Sequence, residues 1–267
     1  MKDSTLQLKS KLALKKLNQI NILLAEDNLL NIKLITALFA QHGVTLQIAV
    51  NGIEAVEKIK TTHFDLVLMD MEMPVLNGYQ ATAVIRNELK NKIPIIALTA
   101  NAQPGEKEKC LQVGMNDYVS KPIDAARLFN AIYKLTSKIV CAKPTIINSQ
   151  SVIVASDKVC NLDYLVVATH GNKVAINNIV TVFFKETKKE LNFLNDAIRE
   201  NNYPVISNIS HKIKSAFSIL GITKLEPIFK ELEQLSNSTS SIGNIEILSR
   251  RVNFVFNQAK EEMMLAN

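Results

Sequence analysis

The chain has 267 residues, enough for two domains of ordinary size, and its 47% hydrophobic and 21% charged residues are typical of globular proteins. No stretch of about 18 apolar residues is present, so the sequence predicts no transmembrane helix. The net charge is +6: residues 1–19 carry +4, residues 20–138 carry 0 and residues 139–267 carry +2. Neither of the two longer segments is basic enough to predict nucleic-acid binding.

Residues 20–138 alternate short apolar runs with amphipathic segments. The apolar runs predict strands at 20–25, 45–49, 66–70, 95–99 and 117–120. The amphipathic segments predict helices at 29–41, 53–60, 78–89, 106–113 and 123–136. Five strand–helix repeats with nearly continuous apolar strands predict a parallel sheet with helices on both faces.

The rest of the chain has a different pattern. Residues 1–19 are interpreted as a basic tail or linker that could form a short amphipathic helix, and residues 139–160 as a linker with a possible strand at 152–155. Residues 161–267 are predicted to be helical. The candidate helices are 162–169, 173–185, 186–200, 205–220, 222–235 and 245–264. Short loops between them predict an up-and-down bundle.

Five polar residues fall at or just past the ends of four predicted strands: Glu26 and Asp27, then Asp70, Thr99 and Lys121. Ligands bind at the carboxyl ends of the strands in such sheets, so we expect these groups to meet there. Three carboxylates offer Mg²⁺ the oxygen ligands it prefers, Lys121 a fixed positive charge, and Thr99 a hydroxyl donor. Asp70 is the candidate nucleophile, because the segment ending at Pro74 turns the chain sharply after it.

These segments resemble the receiver domain of two-component response regulators across residues 20–138. The matching motifs are ILLAEDN at 22–28, LVLMDMEMP at 66–74 with Asn77-Gly78, ALTA at 97–100 and YVSKP at 118–122. The resemblance implies a flavodoxin-like (βα)5 doubly wound parallel-sheet fold, a phosphoryl group accepted by Asp70 and a phosphoryl-binding role for Lys121. It also implies Mg²⁺ bound by Glu26, Asp27, Asp70 and the backbone carbonyl of Glu72, and a switch formed by Thr99 and Tyr118.

A second nucleophile lies in the predicted helix at 205–220. His211 has Lys214 three residues later on the same helix face, surrounded by the small residues Ser207, Ser215 and Ser218. A stripe suited to the bundle core runs along another face through Ile206, Ile209, Ile213 and Phe217. A reactive histidine among small side chains is accessible to a bulky protein partner, and the pattern lacks the further ligands of a metal site.

The segment ISHKIKSAFSILG at 209–221, followed by Leu232-Glu233, resembles the histidine phosphotransfer (HPt) domain, over about residues 160–265. Ser215 stands where the family usually has glycine, and Phe217 where it usually has a small residue. The resemblance implies that His211 is phosphorylated and that Lys214 stabilises its phosphoryl group.

Together the two nucleophiles indicate phosphoryl transfer. No ATP-binding motif is found, so we expect a phosphotransfer intermediate rather than a kinase. The leading interpretation is a phosphorelay protein with a receiver (20–138) followed by an HPt bundle (161–267). This domain order also fits the C-terminal part of a hybrid sensor histidine kinase. Its expected partners are a histidine kinase and downstream receiver or HPt proteins.

Two alternatives remain open at this stage. In the first, phosphorylation of the receiver gates binding to a protein and the bundle only docks partners. In the second, the bundle returns phosphoryl groups to Asp70 for hydrolysis, as a phosphate sink. Three cysteines without CxxC spacing favour a reducing, cytoplasmic setting under either alternative.

Overall fold

The computed structural model describes residues 20–100, 105–136, 159–238 and 242–265. The chain divides into two compact units, residues 1–151 and 152–267, and each is described separately. The predicted basic tail and the possible strand at 152–155 lie outside the described residues, as does nearly all of the predicted linker. The domain boundaries given above therefore stay a prediction.

The first unit contains one parallel sheet of five strands, in the order β2-β1-β3-β4-β5. This is the strand order of flavodoxin-like folds, and it confirms the predicted fold class. The strands are β1 (Ile22–Ala25), β2 (Leu46–Ala49), β3 (Leu66–Asp70), β4 (Ile95–Thr99) and β5 (Asp117–Ser120). The helices between and after them are α1 (Leu29–Ala40), α2 (Gly52–Thr61), α3 (Gly78–Asn87), α4 (Glu106–Gln112) and α5 (Ala125–Thr136).

The central strands are apolar on both faces because both faces are covered by helices. On one face Leu23, Val67 and Ile95 pack in a cluster with apolar side chains of α2, α3 and α4. Alternate residues such as Leu24 and Leu68 are equally buried and point to the opposite face. Helices α1 and α5 cover that second face, and they meet through the rings of Phe39 and Phe129, whose centroids are 5.3 Å apart.

The second unit is helical in all its described parts. Its helices are α6 (Asp163–Ala168), α7 (Lys173–Arg199), α8 (Tyr203–Ile219), α9 (Glu226–Asn237) and α10 (Ile242–Leu265), with a 3₁₀ turn at Thr223–Leu225. The helices α7 to α10 contact one another in chain order, and α10 packs back against α7. This arrangement agrees with the predicted up-and-down bundle. Its core contains the rings of Phe183, Phe217, Phe229 and Phe256.

The prediction of separate helices at 173–185 and 186–200 is wrong, because both segments belong to the single 27-residue helix α7. Neither glycine nor proline interrupts the chain at the expected break, and the buried stripe continues across it. Phe183, Thr187, Leu191 and Leu194 follow one another at spacings of three and four residues. Within the described residues, no helix has both the length and the apolar character needed to span a membrane.

Candidate functional site

Three carboxylates meet at the carboxyl edge of the sheet. Glu26 and Asp27 directly follow β1, and Asp70 is the last residue of the neighbouring strand β3. One oxygen from each of the three side chains lies within 4.8 Å of the others, an arrangement that could hold a metal ion. Glu26 is fully buried, and its Oε1 accepts a hydrogen bond of 2.9 Å from Asn31 Nδ2.

Lys121 supplies the positive charge of this cluster. It follows β5, and its Nζ lies 2.7 Å from Glu26 Oε2 and 2.8 Å from Asp70 Oδ2. The side chain of Lys121 is only 8% exposed. Its backbone N–H donates a 2.7 Å hydrogen bond to the carbonyl oxygen of Thr99, which ties it to the end of β4. The structure therefore brings together Glu26, Asp27, Asp70 and Lys121, as the sequence predicted.

The charged groups of the cluster shift one another's pKa values. Burial raises the pKa of Glu26, and the nearby Asp70 carboxylate raises it further, against the opposing effect of Lys121. Burial opposes the charge of Lys121 in turn, but the carboxylates of Glu26 and Asp70 outweigh burial and hold its pKa above the ordinary lysine value. The carboxylates of Glu26, Asp27 and Asp70 lie close enough to repel one another when ionised, and a divalent cation bound among them would offset that repulsion.

The loop after β3 is held closely against Asp70. The backbone N–H of Glu72 donates a hydrogen bond of 3.3 Å to Asp70 Oδ1. Gly78, the first residue of α3, lies so close that a Cβ atom added there would be 2.3 Å from the carbonyl oxygen of Asp70. The position therefore requires glycine for close approach of two backbone segments.

The predicted switch residues lie on neighbouring strands. Thr99 is buried at the end of β4, and Tyr118 is half-buried in β5. The register pairs Thr99 with Ser120 and Ala97 with Tyr118, which places both predicted switch residues on one face of the sheet. Arg127 lies beside Tyr118, with its guanidinium carbon 5.8 Å from the ring centroid and Nη2 donating to the Tyr118 carbonyl at 3.0 Å.

His211 lies on α8, with its side chain 21% exposed. Its Nδ1 is 3.4 Å from Glu233 Oε1, and Lys214 Nζ is 3.4 Å from both carboxylate oxygens of Glu233. The predicted core stripe is buried and the three serines around His211 are half-buried, as the sequence indicated. The stripe is Ile206, Ile209, Ile213 and Phe217, and the serines are Ser207, Ser215 and Ser218.

Glu233 contacts both His211 and Lys214, and the sequence analysis assigned it no role. It lies on α9, and its place beside His211 depends on how α8 and α9 pack against each other. An acidic residue on an amphipathic helix is ordinarily a surface residue, so the residue type alone predicts no role; the signal in the sequence was the Leu232-Glu233 pair that forms part of the HPt resemblance. The packing of Phe217 against Phe229, with ring centroids 5.5 Å apart, helps to fix the register of the two helices.

Comparison with known proteins gives two family matches. The model of the response regulator receiver domain matches residues 22–133, and the model of the Hpt domain matches residues 178–261. Both matches contain the clusters described above.

The chain is similar to parts of several histidine kinases. It is 44% identical over 119 residues to hybrid signal transduction histidine kinase I of Dictyostelium discoideum, a match that covers 42% of this chain and 7% of that protein. It is 27% identical over 234 residues to the signal transduction histidine-protein kinase BarA of Escherichia coli K12, covering 85% of this chain and 25% of BarA. The chain thus spans a quarter or less of these curated relatives.

Among solved structures, the receiver domain of a sensor histidine kinase from Pseudomonas aeruginosa is 41% identical to the matched part, with a TM-score of 0.41. The match covers 44% of this chain and 98% of that domain, whose structure has a magnesium ion in its active site cleft.

Proposed function

We propose that this chain, a response regulator receiver domain followed by an Hpt domain, is a phosphorelay signalling protein. Asp70 accepts a phosphoryl group from the phosphohistidine of a kinase, and His211 passes phosphoryl groups to or from another receiver. The observation that carries the proposal is the buried contact of 2.8 Å between Lys121 Nζ and Asp70 Oδ2, inside a cluster of three carboxylates.

Transfer to Asp70 needs a nucleophilic carboxylate and neutralisation of the phosphoryl charge. A carboxylate oxygen of Asp70 forms a bond to phosphorus while the phosphorus–nitrogen bond of the donor imidazole breaks. The donor nitrogen leaves with the electron pair. Lys121 is already beside Asp70, so its positive charge meets the incoming phosphoryl oxygens with little reorganisation.

The donor set fits Mg²⁺, which prefers carboxylate oxygens with waters and phosphate oxygens. Glu26, Asp27 and Asp70 would hold it with their side chains, together with the backbone carbonyl of Glu72. When bound, the ion neutralises part of the negative charge of the carboxylates and of the phosphoryl group. The convergence of three carboxylates, with one oxygen of each within 4.8 Å of the others, supports this assignment.

Phosphorylation of Asp70 would change the conformation of the receiver through Thr99 and Tyr118. A phosphoryl group offers new acceptors to the Thr99 hydroxyl at the end of the adjacent strand. Thr99 and Tyr118 share one face of the sheet, so a movement of Thr99 changes the space available to the Tyr118 ring. The surface beside β5 would then differ between the two states of the receiver.

His211 is the second phosphoryl-accepting residue of the proposed relay. Its side chain is partly exposed and so accessible to a receiver, and Glu233 holds Lys214 nearby. Histidine kinases and receiver or HPt proteins are therefore the partner class, in a cytoplasmic phosphorelay. Both matched domains are phosphotransfer modules, which supports a supply of phosphoryl groups by other proteins.

Phosphosite mapping after incubation with acetyl phosphate and Mg²⁺ tests the proposal. The expected result is base-labile label on Asp70 that disappears in Asp70→Asn. Asp65→Asn is the matched control, because Asp65 lies just before the opposite end of the same strand and should leave the labelling unchanged. Absence of label on Asp70 with both acetyl phosphate and a phosphorylated histidine kinase would contradict the proposal.

A further inference from the structure

Asn31 joins the first turn of α1 to the acidic cluster. The residue is only 5% exposed, and its Nδ2 donates a hydrogen bond of 2.9 Å to Glu26 Oε1. Asn31 is the third residue of the 12-residue helix α1, so the helix fixes its backbone position. It is therefore a buried amide that contacts a residue of the proposed cation site from a neighbouring rigid element.

The same oxygen of Glu26 has a second donor. The backbone N–H of Asn28, the residue that precedes α1, donates to Glu26 Oε1 at 3.2 Å. The side chain of Asn28 in turn accepts hydrogen bonds from the backbone N–H groups of Leu30 and Asn31. Two hydrogen bonds thus tie Glu26 Oε1 to the amino end of α1, where the helix dipole also favours a carboxylate.

The other oxygen of Glu26 is held by a different group. Its Oε2 lies 2.7 Å from Lys121 Nζ, and the same ammonium group contacts Asp70. Two donors at one oxygen and an ammonium group at the other fix the rotation of this carboxylate. Turning both oxygens toward one cation would break contacts that water cannot replace, because Glu26 has no exposed surface.

Magnesium and calcium ions differ in what they need from such a carboxylate. Mg²⁺ demands near-ideal octahedral geometry and keeps several waters beside its carboxylate ligands. Ca²⁺ takes more oxygen ligands at longer distances and accepts both oxygens of one carboxylate. A carboxylate that can turn only one oxygen toward the ion therefore suits Mg²⁺ better than Ca²⁺.

We propose that Asn31 is a positioning residue that restricts Glu26 to one oxygen at the cation and so makes the site select Mg²⁺ over Ca²⁺. The Asn31 amide does this by holding Oε1 at the end of α1. Asparagine suits the role because its NH₂ group only donates, whereas an ionised aspartate would place a second acceptor against the carboxylate. The inference rests on the proposed function, because it concerns the cation of the phosphoacceptor site.

Titration of the full chain with MgCl₂ and, separately, with CaCl₂ tests the proposal. Amide ¹H–¹⁵N spectra recorded at one fixed pH give the two dissociation constants, so the readout does not depend on phosphoryl transfer. For the wild type we expect tighter binding of Mg²⁺ than of Ca²⁺.

Asn31→Ala removes the donor and frees Glu26 Oε1. The Mg²⁺ dissociation constant should rise about tenfold, the lower end of the usual cost of losing an outer partner of a metal ligand. The Ca²⁺ dissociation constant should rise by no more than about threefold, because Glu26 can then offer both oxygens to the ion. The preference for Mg²⁺ over Ca²⁺ should therefore fall by at least about threefold.

Two further variants make the result specific. Asn31→Leu also lacks the donor but fills the buried space, so it gives the same comparison if a cavity prevents Asn31→Ala from folding. Asn87→Ala is the matched control, because Asn87 is an exposed residue at the end of α3. It should leave both dissociation constants unchanged.

The ratio of the two dissociation constants separates positioning from a merely structural role. A structural role of Asn31 would weaken the binding of both cations by the same factor and leave the ratio unchanged. An unchanged ratio in the Asn31 variants, or a wild type that binds Ca²⁺ as tightly as Mg²⁺, would overturn the inference and leave the phosphorelay function standing.

The proposed function fails in a different way. A wild type that binds neither cation would overturn the cation site, and the role of Asn31 with it. Acceptance of a phosphoryl group is tested separately, by the labelling of Asp70 with acetyl phosphate. Label on Asp70 together with an unchanged ratio in the Asn31 variants would overturn the role of Asn31 alone.

Discussion

Lys121 and Glu26 form an ion pair, with 2.7 Å between Nζ and Oε2, that is almost completely removed from water. Burying two charges costs desolvation energy, which the attraction between them offsets. Removal of one partner therefore leaves the other charge buried without compensation. The same lysine also contacts Asp70, the proposed phosphoacceptor. Stability of the receiver and its chemistry are therefore coupled through one side chain.

The first prediction concerns replacement of this lysine. Lys121→Ala should lower the free energy of unfolding of the receiver by roughly 3–5 kcal/mol, because Glu26 and Asp70 lose their buried partner. Hydrogen exchange of peptides from β1 and β3 measures the loss. Mg²⁺ should protect the variant more than the wild type, since the ion replaces the missing positive charge.

Lys33→Ala is the control for this experiment, because Lys33 is an exposed lysine on α1. It should change the exchange of these peptides little. Equal protection of wild type and Lys121→Ala by Mg²⁺ would argue against a cation site at the acidic cluster.

The second prediction concerns the close approach of α3 to Asp70. In Gly78→Ala the new Cβ would meet the Asp70 carbonyl oxygen at 2.3 Å and Met71 Cα at 3.0 Å. The crowding should lower receiver stability by roughly 1–3 kcal/mol and displace Asp70. The rate of acyl phosphate formation from acetyl phosphate should fall.

A comparison with Gly105→Ala separates crowding at the site from backbone strain elsewhere. Gly105 has a φ of +94°, but a Cβ there would have no neighbour within 4 Å among the residues that the structure describes. This variant should lose some stability and keep the normal phosphorylation rate of Asp70. If Gly78→Ala also kept that rate, the position of α3 would not control Asp70.

The receiver sheet could be predicted closely from the sequence. The strands at 66–70, 95–99 and 117–120 have the expected bounds, because buried parallel strands appear as continuous apolar runs. The acidic cluster could also be predicted, since the carboxyl ends of parallel strands meet at one edge. These features depend on local patterns and on a simple topological rule.

The bundle was less predictable because its contacts depend on packing between helices. The break expected near residue 185 does not occur, since the core stripe continues through Thr187. Glu233, which contacts His211 from α9, lies 22 residues after it in the sequence. Neither helical periodicity nor residue type shows which side chain of α9 faces His211.

The third prediction concerns the pH dependence of bundle stability. Burial opposes the charge of Glu233, but the hydrogen bond from His211 and the charge of Lys214 outweigh it and lower the pKa of Glu233 in the folded state below its ordinary value of 4.5. The charge of Glu233 therefore stabilises the fold above that pH. The stabilisation should disappear as the pH falls through the lowered folded pKa. Glu233→Gln should be less stable than the wild type near neutral pH, by at most about 1 kcal/mol for a partly exposed pair.

Urea unfolding of both proteins between pH 3 and pH 7, monitored by hydrogen exchange of α8 and α9, measures this difference in the free energy of unfolding. The gap between them should narrow below about pH 4.5, the ordinary glutamate value. A gap that stays constant over this range would mean that the charge of Glu233 does not contribute to the stability of the bundle.

Transfer between two complementary variants tests the central claim most directly. His211→Gln is first labelled on Asp70 with acetyl [³²P]phosphate, freed of the small molecule, and mixed with Asp70→Asn, which keeps His211. The wild-type chain is labelled in parallel. The account predicts acid-labile label on His211 of the Asp70→Asn chain or of the wild type. Label that leaves Asp70 only as inorganic phosphate, with His211 unlabelled in both experiments, would contradict a relay between the two sites.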